Sequence, residues 1–112
     1  MEQEFLDKID DLWELCGPID GARTVDDLKM DISKSSNIIA PCRDWISKRN
    51  KLRNIKKTPD SYRLKTEVEG ELNTWIPHSV FVFAAFLEGV KMTRSYLSRD
   101  VYVVSTNIGT LI

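Results

Sequence analysis

The sequence predicts an α+β domain with three N-terminal helices, a small β-hairpin over about 61–76 and a long buried C-terminal helix. Three observations predict it. Apolar residues recur at helical spacing over 5–52, polar and apolar residues alternate over 62–69, and the uncharged run from Leu72 to Leu87 concentrates more apolar mass than any other stretch. With 112 residues, a single domain over 1–112 can bury its own core without disulfides or metal.

In the first helix Phe5, Ile9, Leu12, Trp13 and Cys16 form the apolar stripe, with Glu2, Glu4, Asp7, Asp10, Asp11 and Glu14 on the other positions. Gly17-Pro18 ends it, because glycine closes a helix in the left-handed conformation and proline cannot continue it. The second helix opens on Thr24 as N-cap with Asp27 three residues on, and Val25, Leu28 and Ile32 make its stripe. Pro41 suits the first position of a third helix over about 41–52, with Cys42, Trp45, Ile46 and Leu52 inward.

Thr58-Pro59-Asp60 reads as a turn, and Tyr62, Leu64, Thr66 and Val68 alternate with charged residues as in a half-buried strand that ends at Gly70. Leu72 to Ile76 would return as its hairpin partner, leaving Glu67, Glu69 and Glu71 on a solvated face. Ser79 then reads as the N-cap of a central helix to about Arg99, with Gly89 inside it. Val80-Phe81-Val82-Phe83 alone would suit a buried strand, but the apolar segment runs past ordinary strand length. Trp75 and Phe83 are expected to be buried. Val101 to Val104 looks strand-like, and Asn107 and Gly109 break it.

Function classes narrow by what is missing. No Gly-rich phosphate loop, nucleophile elbow, HExxH or CxxC occurs, and His78 is the single histidine, without the neighbours that a ligand or catalytic set requires. His78 therefore reads as structural. A non-enzymatic protein without catalytic residues, cofactor or metal is expected. No apolar run spans a bilayer, and the acidic N-terminus does not resemble a targeting segment, so an intracellular protein with Cys16 and Cys42 reduced is expected.

The net charge of −1 conceals segregation by segment: residues 1–32 carry −7, residues 33–65 carry +8 and residues 66–112 carry −2. Eight bases and one acid lie between Lys48 and Lys65. Cations crowded in this way repel one another unless an anion neutralises them, and nucleic-acid phosphate is the leading candidate. A DNA interface would use Lys48, Arg49, Lys51, Arg53, Lys56 and Lys57, with Arg43, Arg63 and Lys65 flanking. The bland readings are a solubilising surface or a cradle for the acidic first helix. The alternative function is a small protein-interaction module, an inhibitor or adaptor using that acidic helix or the basic face.

Within residues 42–97, Trp45-Ile46-Ser47-Lys48-Arg49, Val68-Glu69-Gly70 and Thr74-Trp75-Ile76-Pro77-His78-Ser79-Val80, followed by Ala85-Phe86-Leu87, resemble the KilA-N domain. This is a DNA-binding module of phages and large DNA viruses, related in fold to the APSES domain. Pro77-His78 reverses the family's His-Pro order, and Ser79 stands where the family has a helix-capping aspartate. The resemblance implies DNA binding in a viral or phage regulator.

Overall fold

The computed structural model describes residues 1–94 and 103–112. In chain order the elements are α1 (Gln3–Cys16), α2 (Val25–Lys34), a 3-10 turn (Ser36–Ile38), α3 (Ile39–Ser47), β1 (Arg49–Lys56), α4 (Ser61–Leu72), α5 (His78–Leu87), β2 (Met92–Arg94) and β3 (Val104–Leu111). Helices α1 to α4 pack around α5, and a three-stranded antiparallel sheet of order β1-β3-β2 lies alongside.

α1 buries Ile9, Leu12 and Cys16 and stops at Gly17, whose φ of 71° places it in the left-handed region. Arg94 finishes the job from β2, donating to the carbonyls of Cys16 and Pro18 at 2.5 and 3.4 Å. A guanidinium at a helix C-terminus satisfies orphan carbonyls and complements the helix dipole. A Cβ at Gly17 would lie 2.6 Å from the Arg94 Nη2. Thr24 caps α2 as expected, accepting from the Asp27 N–H at 3.1 Å.

The expected arrangement of three N-terminal helices, a hairpin and one long helix is wrong: among the described residues there are five helices and three strands. The third helix ends at Ser47 instead of 52, because Arg49 to Lys56 are drawn out as β1 by pairing with β3. The hairpin over 61–76 is instead α4 with its following connection. Leu64 and Val68 are buried four residues apart, a spacing that alternation and a helix share, and Asp60 caps the helix by accepting from the Arg63 N–H at 3.1 Å.

The apolar helix is shorter than expected. α5 buries every residue from His78 to Ala85, but Gly89 terminates it instead of lying inside it. With Gly89 at φ 74°, its N–H bonds the Phe86 carbonyl and the Val90 N–H bonds the Ala85 carbonyl, both at 3.1 Å, which is the Schellman closure. Residues 95–102, the rest of the expected helix and the start of the expected strand, lie outside the described residues. Asn107 and Gly109, expected breakers, lie within β3. The Asn107 side chain is buried and bonded through both its nitrogen and its oxygen, donating to the Leu52 carbonyl at 2.8 Å and accepting from the Lys91 N–H at 3.0 Å.

Phe81 and Phe83 lie fully inside the core, with Phe5 edge-on to Phe83 and Trp45 edge-on to Phe81. Trp75, expected there too, is 68% exposed in the α4–α5 connection. Cys16 and Cys42 are free and buried, and desolvation pushes their thiols up to about 11 and about 12, the Arg94 charge opposing it at Cys16. No described helix is long and apolar enough to cross a membrane.

Candidate nucleic-acid interface

The nine bases of the central block divide into two sets. Four have carboxylate partners. Arg43 on α3 pairs with Glu88 at 2.8 Å, and Lys48 pairs with Asp44 one helical turn back at 3.0 Å. Arg49 is 9% exposed, lies over the Trp45 ring and stands 3.5 Å from both Glu67 and Glu71, while the Trp45 indole N–H donates to Glu71. Lys65, 6% exposed, bonds Glu69 at 2.8 Å. Burial works to raise the Glu69 carboxyl, but the Lys65 ammonium and the Ile76 N–H outweigh it, and the group is held below the ordinary glutamate value.

The other five, Lys51, Arg53, Lys56, Lys57 and Arg63, are exposed and have no ion-pair partner among the described residues. β1 explains their display. It is an edge strand, and its pairing positions run Lys51 with Ile108 and then Lys56 with Thr106, so five steps along β1 stand against two along β3. The surplus residues bulge outward, and Arg53 to Lys56 are exposed at consecutive positions, not alternate ones. Gly109 permits the close pairing on the inner side, since a Cβ there would lie 3.0 Å from the Leu52 side chain and 3.1 Å from the Asn50 carbonyl.

One base was missed. The exposed Lys91, between α5 and β2, donates from Nζ to the Arg53 carbonyl at 3.2 Å and adds a sixth charge to the ribbon. No local pattern marks it, because the contact spans 38 residues. The cradle reading fails among the described residues. The ion pair made by α1 there joins Asp10 to Lys29 of α2, and none joins α1 to the basic block.

His78 holds a second arrangement. Its Nδ1 is 2.6 Å from an Asp20 carboxylate oxygen, and its Nε2 is 2.6 Å from the Ser61 hydroxyl. A carboxylate only accepts, so the Nδ1 proton faces Asp20, and the Ser61 hydroxyl that meets Nε2 also accepts from the Val104 N–H at 2.9 Å. The other Asp20 oxygen accepts from the Ser79 N–H at 2.6 Å, supplying from a distant loop the carboxylate that caps α5. Asp20 adopts φ 56°, a left-handed conformation that aspartate tolerates better than most residues. The trio has the order of a nucleophile, base and orienting acid, but Ser61 is 0% exposed. As built, it ties the α1–α2 loop, both helix starts and β3 together.

The chain matches no family model, no curated protein and no solved structure, so the KilA-N likeness rests on the quoted residues alone.

Proposed function

We propose that the protein binds DNA through the β1 ribbon, with Lys51, Arg53, Lys56 and Lys57 on backbone phosphates and Arg63 and Lys91 beside them. The observation that carries this reading is the division of the block: four bases have carboxylate partners, Arg49 and Lys65 of them buried, and the remainder, unbalanced by any described carboxylate, lie on one bulged strand, the turn after it and the first turn of α4. An edge strand also presents unpaired N–H groups that phosphate oxygens accept. Phosphate contacts position a protein without reading sequence, and the ribbon offers long flexible cations suited to that task. A role as a viral or phage regulator follows the KilA-N likeness.

Lysines on an edge strand also discourage edge-to-edge pairing, which is the competing explanation for their placement. The interaction-module reading is favoured by the outer face of α1, where Glu4, Asp7, Asp11 and Glu14 are all exposed. Salt separates these readings from DNA binding. With about four phosphates neutralised, log K against log salt has a slope near −3.6, and affinity for a labelled duplex falls on the order of a hundredfold between about 50 and 200 mM salt. A flat response, or no binding at the lower salt, overturns the proposal.

A further inference from the structure

In the α4–α5 connection, the exposed indole of Trp75 lines a cleft. Trp75 has no aromatic or cationic partner among the described residues, although a ring of that size ordinarily packs against something. The cleft has a volume of about 490 Å³, within the range of small-ligand sites. Trp75, Tyr62 and Pro77 give it apolar walls, and the end of α2 contributes Asp31, Lys34 and Ser35.

The hydrogen-bonding capacity of the cleft lies on one side. His78 and Ser79 line it, but the His78 ring nitrogens and the Ser79 N–H are engaged with Asp20 and Ser61. The Lys65 ammonium is held by Glu69 and sits 4.8 Å over the Tyr62 ring. Asp31, Lys34 and Ser35 have no side-chain partner among the described residues, which leaves an acceptor, a donor and a hydroxyl that is both. A bare phosphate meets the carboxylates of Asp20 and Asp31 here. A flat neutral ring with donors and acceptors along its edge fits both the apolar walls and the polar rim.

We propose that the cleft takes one unstacked nucleobase from a single strand whose phosphates lie on the ribbon, an inference that rests on the nucleic-acid reading. Continuity supports it. Tyr62 lies in the first turn of α4, directly after the turn that carries Lys57 and next to the exposed Arg63. The chain thus joins the last bases of the ribbon to Tyr62, one wall of the cleft. Stacking on an exposed aromatic is sequence-tolerant, because every base has a π-face. A proline-rich peptide also docks against aromatic walls, but it gives the neighbouring cations no partner.

The test uses a labelled oligothymidylate, the same oligonucleotide with abasic positions, a duplex, and free thymidine read by tryptophan fluorescence. Trp75→Ala, at an exposed position, melts with the parent. It weakens the single strand by about 5- to 150-fold, the range for loss of one stacked base, and leaves the duplex unchanged. Trp75→Phe restores most of the affinity. Thymidine at millimolar concentration quenches the parent and a ribbon charge-reversal variant, but not Trp75→Ala. Unchanged single-strand affinity in Trp75→Ala overturns the base site while leaving the ribbon reading in place. So does equal affinity for the abasic oligonucleotide, or a proline-rich peptide that quenches where thymidine does not. If charge reversal leaves the single strand bound and Trp75→Ala releases it, the ribbon reading fails and the base site stands.

Discussion

The guanidinium carbon of Arg49 lies 4.0 Å from the centre of the Trp45 ring, and this stacking turns the first base of β1 inward. Its charge is balanced by Glu67 and Glu71 of α4, so the contact joins α3, β1 and α4 at one point. The Arg49 Nε is buried without a partner among the described residues, a cost that the engagement of the rest of the group offsets.

Arg49→Met should therefore act on stability. Loss of the cation–π contact and of two part-exposed ion pairs should cost about 1–3 kcal/mol in urea unfolding. Duplex affinity, measured where the variant is still folded, should stay within about twofold of the parent. A variant that melts like the parent but binds DNA poorly would return Arg49 to the interface.

Which parts of the fold could be read from the chain depended on how local their causes were. α1 and α2 were legible because stripe, cap and stop lie within each helix: Ile9, Leu12 and Cys16 are buried, Thr24 caps, and Gly17 closes. The apolar start of α5 was legible from composition, and Phe83 is buried as expected. β1 was not, because its residues are polar and exposed and become a strand only by pairing with β3, some fifty residues on. The alternation over 62–69 misled because Leu64 and Val68 satisfy both periods, and the Asp60 cap that would have decided was absorbed into the turn.

Of the candidate interface, the segregation of charge was legible. The charge count located the block, but composition cannot tell a displayed base from a balanced one, and Arg49 and Lys65 look like Arg53 and Lys56 until their carboxylates are placed. Lys91 and the role of Asp20 at His78 depend on contacts across the chain.

The Lys65–Glu69 pair gives the stability a pH dependence of definite sign. The Glu69 carboxyl is held below its ordinary value in the folded protein, so its contribution is fully present above the unfolded glutamate value of about 4.3 and is lost as pH falls through the lower folded value. Glu69→Gln should cost about 1 kcal/mol near neutral pH, the part-exposed carboxylate being screened by water. The gap between parent and variant should close as pH falls below about 4, because the protonated parent then resembles the variant. Denaturant melts at several pH values check this, and parallel curves down to about pH 3 would remove Glu69 from the account.

Reversing charge on the ribbon tests its purpose most directly, because the fold gains little from these side chains. Arg53, Lys56 and Lys57 are exposed and unpaired among the described residues, and the bond from Lys91 goes to the Arg53 backbone carbonyl, which a substitution leaves in place. Changing all three to Glu should shift stability by no more than about 0.5 kcal/mol each. On DNA the change removes three contacts and adds three repulsions, so duplex affinity should collapse at low salt while the melting temperature barely moves. If the lysines serve only to block edge pairing, DNA binding is absent in parent and variant alike. The variant then stays monomeric as well, since glutamates guard a strand edge as effectively as lysines. Replacement of the same three residues by Val separates that case, because an uncharged edge should then self-associate in sedimentation, whereas a ribbon that is only a phosphate contact should lose DNA and remain a monomer.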